Sequence, residues 1–406
     1  MTGLGKTYVS SEKALSFKEN VVLVVCQKSK VQDWVDHFRT HYSYIPDFTY
    51  DLTDKKQFQG FLDHCEAATN PTTENCYGVI NYDLLFRKPK FLKMTDYTLI
   101  LDESSVIKNT KTKRAKFVLK MTPTNVIMLS GTICGGKYEN LYTQLHLLGW
   151  EISEKVYNAQ YVNWKKINIG GMIHKIVNKD DPYRNVERLK QKMREHGSVF
   201  MKTDEVFDLP EQNFIRIKIP TTKEYRKFKR DRLITIDGTE FVGDSILSYR
   251  LYQRQLCTAF NPNKLQAFRD LLDSTQDRLI VFYQFTCELV ELQAICNDFE
   301  RPYSIVNGSY KDLTAYEKES NSVALVQYQA GAMGLNLQKA NKIVYFSLTE
   351  EAELFEQSKK RIHRIGQNQP CFYYLLICEN SIEDQEILPT LNVRKEYNDD
   401  LFEEVN

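Results

Sequence analysis

The sequence predicts an α/β protein of two tandem lobes with parallel sheets, plus inserted helical segments between them. Three observations lead to this class. Short, continuous, β-branched apolar runs alternate with amphipathic helical patterns near both ends of the chain. Parallel strands covered by crossover helices on both faces read this way, whereas half-exposed strands alternate apolar with polar residues. Several of these runs end in acidic, hydroxyl or small residues, and open parallel sheets hold their ligands at the C-terminal ends of strands. Between about residues 150 and 270 the rhythm changes to charged helical patterns. The chain has 406 residues, enough for about two to three domains.

The first lobe is assigned to residues 1–205, with an insertion over about 150–205. It opens on Gly3-Leu-Gly-Lys-Thr7, which matches the second half of G-x-x-x-x-G-K-[ST]. In such a loop Gly3 and Gly5 let backbone N–H groups approach phosphates. Lys6 neutralises the β/γ oxygens, and the Thr7 hydroxyl ligates Mg²⁺. The loop's first glycine and its feeding strand would precede Met1, so this lobe is expected to be N-terminally truncated. Residues 20–26 form a buried strand, followed by an amphipathic helix carrying Trp34, Val35 and Phe38. A second strand over 77–85 ends in a polar turn. Residues 97–105 form an apolar strand ending in Asp102 and Glu103. There Asp102 can hold Mg²⁺ through water, and Glu103 can orient or deprotonate an attacking water. A plain strand stopped by an acidic turn would carry the same letters. The next strand, 126–132, ends in Ser130 and Thr132.

Residues 164–184, with Gly170 and Gly171 between apolar and polar residues, suit a β-hairpin. The second lobe, 206–406, begins near Leu209-Pro-Glu211 and an alternating strand over 214–219. Its helical segment, about 222–270, is rich in Lys, Arg and Tyr. Such helices can track a phosphate backbone, although charged helix faces are usually only solvated. Strands follow at 278–283, 303–308, 322–327, 342–347 and 372–377, with a Gly-rich loop over 328–337. Arg361 and Arg364 lie three residues apart, which on a helix places them on one face. Two fixed guanidiniums suit phosphoryl oxygens. The tail, 379–406, is acidic and helical.

Composition narrows the partners. The 54 Lys+Arg and 53 Asp+Glu leave a formal charge of +1, so any nucleic-acid surface must be a local patch. Nine cysteines contain no C-x-x-C pair, which predicts neither a zinc site nor disulfides. No apolar run reaches the ~18 residues of a membrane helix, and no signal peptide opens the chain. A soluble cytoplasmic protein is the default expectation.

The order and spacing of seven segments resemble the superfamily 2 helicase core, specifically its Swi/Snf-like branch of double-stranded DNA translocases. Gly3–Thr7 is similar to that family's G-L-G-K-T loop, and residues 24–34 to its strand followed by Lys-Ser and a Trp. Ile80-Asn-Tyr-Asp-Leu84 resembles its nucleic-acid-contacting turn. Asp102-Glu-Ser-Ser-Val-Ile-Lys-Asn109 resembles the D-E-S-H-x-I-K-N box, and Leu129-Ser-Gly-Thr132 the start of L-S-G-T-P. In the second lobe, residues 331–338 resemble G-G-x-G-L-N-L-T, and Arg361-Ile-His-Arg-Ile-Gly-Gln367 resembles R-x-x-R-I-G-Q. Ser105 stands where the family usually has His, Ile133 where it has Pro, and Lys360 where it often has Asp. Ala332 and Gln338 replace Gly and Thr.

The resemblance implies two RecA-like lobes and MgATP hydrolysis. Gly3, Gly5, Lys6, Thr7, Asp102 and Gly334 would bind nucleotide, with Thr7 and Asp102 on Mg²⁺. Glu103 would position water, and Arg361 and Arg364 would act as arginine fingers, a device worth ~10³–10⁵ in rate. Asn81, Tyr82, Ser130, Thr132 and Gln338 would contact nucleic acid or couple it to the nucleotide. The implied partner is double-stranded DNA, and no membrane is involved. The compact chain suggests a viral or bacterial DNA-processing protein, which places it in the cytoplasm, or the host's if viral. A strand-separating DNA or RNA helicase and a non-hydrolysing nucleic-acid clamp are the competing readings.

Overall fold

The computed structural model describes residues 5–42, 47–67, 75–169, 171–201, 205–331 and 335–401. The chain divides into two compact units, residues 1–203 with 397–406, and residues 204–396.

In the first unit, five strands form one sheet: β1 (Val21–Cys26), β2 (Asp47–Asp51), β3 (Asn75–Asn81), β4 (Tyr97–Asp102) and β5 (Asn125–Leu129). Their order is β2-β3-β1-β4-β5, and every pairing is parallel. The central strand β1 is buried along its whole length because helices cover both faces. That double cover is why its sequence is an unbroken Val-Val-Leu-Val-Val-Cys run. Adjacent registers, Val25 opposite Leu101 and Asp102 opposite Leu129, bring the C-terminal ends of β1, β4 and β5 level.

Beyond β5, the first unit continues into a helical region with its own core of Tyr138, Tyr157, Tyr161, Leu189 and Met193. A two-stranded antiparallel hairpin, β6 (Trp164–Ile169) and β7 (Met172–Val177), leaves this region. Residues 397–401 belong to this unit. The Tyr138 hydroxyl donates to the Tyr397 carbonyl at 2.8 Å, and Lys190 Nζ pairs with Asp400 Oδ1 at 2.5 Å.

The second unit holds a six-stranded parallel sheet. Its strands are β8 (Gln212–Ile219), β11 (Leu279–Tyr283), β12 (Tyr303–Val306), β13 (Val323–Gln327), β14 (Lys342–Tyr345) and β15 (Cys371–Cys378), in the order β12-β13-β11-β14-β15-β8. The α/β class with two parallel sheets is therefore as expected. The segment read as helical over about 222–270 is not wholly helical. A small hairpin, β9 (Leu233–Ile236) and β10 (Thr239–Val242), interrupts it. Asp237 and Gly238, both at positive φ, make its turn. An Asp-Gly pair between apolar runs is a strong hairpin signal, and here it outweighs helical periodicity.

Candidate nucleotide site

The helix Lys6–Leu15 starts at Gly5, whose φ of +66° falls in the left-handed region that glycine enters at little cost. No side chain caps this end. Its first N–H groups have no partner within the helix, and the helix dipole makes them a seat for an anion. Gly3 lies outside the described residues.

Facing this end, β4 delivers Asp102, and Glu103 follows at φ +52°. A β-carbon makes that conformation costly, so packing must hold it. Lys6 Nζ lies 3.5 Å from Glu103 Oε1. Glu103 Oε2 is buried with no hydrogen-bond partner among the described residues, although buried carboxylate oxygens are normally satisfied. Asp102 Oδ2 accepts from Trp34 Nε1 at 3.1 Å. Burial raises the Asp102 carboxyl above the usual carboxylate range, and the Trp34 hydrogen bond opposes that shift. A carboxylate desolvated in this way, beside a second one with an orphaned oxygen, fits a divalent cation and a polar ligand. Lys6 and the helix terminus fit its phosphates.

The sequence signalled Asn81 and Tyr82 as a nucleic-acid-contacting turn, but both are buried. Asn81 caps the short helix Tyr82–Leu85 by accepting from Leu84 N–H at 3.0 Å. The Tyr82 hydroxyl donates to the Asp102 carbonyl at 2.9 Å. Tyr82 thus holds the acidic turn and Asn81 the start of the helix, and neither offers a surface. Ser130 Oγ donates to the Thr132 carbonyl at 2.8 Å and accepts from Thr132 N–H at 3.2 Å, closing the turn after β5. Sequence reasoning missed Gln144. It accepts from Ser104 Oγ at 2.9 Å and donates to the Ile133 carbonyl at 2.8 Å, so it ties the acidic turn to the segment after Thr132. The available signal was a polar residue at a core position, flanked by Leu141 and Leu145.

In the second unit the two arginines do not share a helix face, contrary to expectation. The helix Ala352–Lys359 stops before them, and residues 361–366 run in turns. Hydroxyls from the sheet engage its last turn: Tyr345 bonds Ser358 Oγ at 2.8 Å, and Tyr373 donates to the Lys359 carbonyl at 3.1 Å. Arg361 is 5% exposed and donates through Nη1 to the Leu335 carbonyl at 3.3 Å. Arg364 is half-buried, and burial lowers its pKa. Gly366, at φ +93°, lies against the Gln338 side chain, so a Cβ there would be crowded as well as strained. Gln367 Nε2 donates to the Gln338 and Ala340 carbonyls at 3.1 and 3.0 Å. Gly334 lies outside the described residues. Among those residues, no helix is long and apolar enough to cross a membrane.

Comparison with known proteins supplies the family. A SWI/SNF-related matrix-associated actin-dependent regulator of chromatin subfamily A-like protein 1 from Drosophila melanogaster is 25% identical, over 94% of this chain and 50% of its own length. A probable ATP-dependent DNA helicase CHR12 from Arabidopsis thaliana is 23% identical, over 94% of this chain and 38% of its own. An uncharacterized ATP-dependent helicase MG018 from Mycoplasma genitalium is 22% identical, over 89% of this chain and 35% of its own. This chain thus spans half or less of the length of each of these relatives. The solved C-terminal part of the Fun30 ATPase domain aligns with 48% of this chain and 98% of its own, at 14% identity and a TM-score of 0.38. The helicase conserved C-terminal domain matches residues 263–366. The SNF2-related domain matches residues 2–261, more than half of the chain, and the protein belongs to that family.

Proposed function

We propose that this chain is an ATP-dependent nucleic-acid motor that hydrolyses MgATP to translocate on, or remodel, duplex DNA. The observation that carries the reading is the meeting of Lys6 and Glu103 at 3.5 Å, beside the uncapped helix start and buried Asp102. A cation, an anion-binding helix terminus and two carboxylates are the parts that phosphoryl transfer needs. The family and the names of the relatives support the same reading.

Lys6 and the N–H groups after Gly5 would neutralise the phosphates, and Thr7 and Asp102 would hold the magnesium. Bound Mg²⁺ supplies charge neutralisation at the phosphoryl oxygens. Glu103 Oε1 leaves Lys6 as the phosphates arrive, and the carboxylate then orients the attacking water. Nucleotide contacts from Gly3 and from Gly334 are carried over from the family resemblance alone. Arg364 is the better arginine-finger candidate, because it is less committed than Arg361, which holds a backbone carbonyl. Ser130, Thr132 and Gln338 couple nucleotide to track, while Tyr82 acts by holding the acidic turn and Asn81 by capping the helix that begins at Tyr82. Duplex DNA as the preferred track rests on the family resemblance.

ATP hydrolysis measured with no nucleic acid, single-stranded DNA, duplex DNA and duplex RNA tests this. Stimulation chiefly by duplex DNA is expected. Preference for single strands would replace the translocase with a helicase. DNA binding with no turnover would replace the motor with a clamp.

A further inference from the structure

The β6–β7 hairpin carries an unusual charge arrangement. From Trp164 to Lys179 there are four lysines, Lys165, Lys166, Lys175 and Lys179, with His174 and no Asp or Glu. In a chain of net charge +1, this is a marked local excess. The ladder places Lys166 directly opposite Lys175, and both are exposed. Like charges facing each other across a strand pair disfavour the hairpin. The same face carries Asn168 opposite Ile173 and Trp164 opposite Val177, and the Lys175 ammonium lies 4.9 Å from the Trp164 ring centroid. Among the described residues, no further strand joins this ribbon.

The root of the ribbon is firm. Val162 bridges to Tyr183, and Asn163 N–H donates to the Pro182 carbonyl at 2.8 Å. The Tyr183 hydroxyl donates to Glu139 Oε2 at 2.9 Å and to the Gly136 carbonyl at 3.3 Å. Gly136 and Glu139 follow Ser130 and Thr132 closely in the chain. The exposed basic ribbon therefore hangs from the segment that leaves the nucleotide site.

We propose that the face bearing Lys166, Lys175 and Asn168 grips the phosphate backbone of duplex nucleic acid. Phosphates relieve the repulsion between the facing lysines, and a two-stranded ribbon is narrow enough to enter a major groove. This rests on the nucleic-acid reading above and extends it to a surface outside the seven sequence segments. Its rigid root gives bound duplex a direct mechanical link to the turn after β5.

The test is the double variant Lys166→Gln/Lys175→Gln, with Lys120→Gln as an exposed control on the same unit. Binding of a fluorescent duplex is followed by anisotropy between about 50 and 200 mM salt, the range over which phosphate contacts are lost. The double variant should bind on the order of tenfold more weakly, and its log K against log salt slope should fall by about 1.8, at about 0.9 per lost phosphate contact. Its Tm should hold or rise, because a like-charge pair is removed. If wild type binds duplex and the double variant keeps its slope, the hairpin proposal is overturned while the motor reading stands. If the variant instead loses only retention of polyglutamate, the face docks an acidic protein and the proposal is again overturned. If wild type binds no nucleic acid, the motor reading fails, and the proposal fails with it.

Discussion

The Ser104 hydroxyl donates to Gln144 Oε1 at 2.9 Å across 40 positions of sequence, and the other end of the same amide donates to the Ile133 carbonyl at 2.8 Å. Both side chains are buried, Ser104 to 1% and Gln144 to 5% exposure. One amide thus joins the acidic turn to the segment after Thr132, in a chain where Ser105 stands in place of the family's usual His. Gln144→Leu keeps the bulk but leaves the Ser104 hydroxyl and the Ile133 carbonyl unpaired, at a cost of about 1–3 kcal/mol. Nucleic-acid-stimulated turnover should fall more than basal turnover. A double-mutant cycle with Ser104→Ala should show coupling of about 0.5–3 kcal/mol. Additive effects in stability and in stimulated rate would break the link.

Under the proposed function, Glu103 and the two arginines should separate by role. Glu103→Gln should retain ATP binding and lose turnover, since the amide keeps the size of the carboxylate but not its basicity. Arg364→Ala should lower turnover by about 10³-fold or more with an unchanged Tm, as expected for a finger. Arg361→Ala should lower Tm as well, because its buried guanidinium holds the Leu335 carbonyl. Steady-state ATPase assays and thermal melts of the three variants check this. Wild-type turnover in Glu103→Gln would remove the water-positioning role.

Much of this was legible in the sequence because parallel strands buried on both faces have a plain signature. The runs 20–26, 97–105 and 278–283 read as strands without any knowledge of their neighbours, and the strands occupy 21–26, 97–102 and 279–283 of them. The Gly-Lys-Thr pattern and the Asp102-Glu103 pair were equally easy to single out as candidates, because the chemistry they suggest sits on adjacent residues. What escaped is what depends on distant partners. The Ser104–Gln144–Ile133 chain closes only when the sheet and the following helix are packed. Arg361 and Arg364 are the same letter, and only burial against Leu335 separates them. The helical face expected for them failed because the helix ends at Lys359, whose carbonyl accepts from the Tyr373 hydroxyl of a distant strand. The Asp237-Gly238 hairpin is different. Its signal was local and was outweighed by the charged periodicity around it.

His37 gives a pH signature. It is 8% exposed, packs against the Tyr8, Trp34, Phe38 and Tyr42 rings, and shares a hydrogen bond of 3.1 Å with Ser11 Oγ. Burial, helped by His41, pushes its imidazole from 6.5 down to about 4. The unfolded chain therefore takes up a proton near pH 6.5 that the folded chain refuses until about pH 4. Stability contributed by neutral His37 is complete above pH 6.5 and is lost as pH falls through that window. Urea unfolding at pH 7.5 and 5.5 should show a smaller loss for His37→Gln than for wild type. Equal losses would mean that His37 titrates normally in the folded protein.

Lys264 and Glu383 form the most deeply buried ion pair described, with side chains 0% and 3% exposed and Nζ to Oε2 at 2.7 Å. Burial works against the Lys264 charge, yet the Glu383 carboxylate beside it holds its pKa above the usual lysine value. Glu383 Oε2 also accepts from Cys378 N–H at 3.3 Å, tying the pair to the end of β15. Cys257, Cys378 and Glu383 offer ligand atoms within 4.8 Å of one another, but the ammonium already supplies the positive charge a metal ion would bring there. Removing one partner strands the other charge in the core, so Lys264→Met should cost about 3–5 kcal/mol. Replacing both, Lys264→Met with Glu383→Leu, leaves no orphaned charge and should recover most of that loss, since well-packed apolar substitutes for buried pairs are often neutral or stabilising. Chemical denaturation of the single and double variants decides the point. A double variant as weak as the single one would show that the pair holds the end of β15 in a way that packing cannot replace.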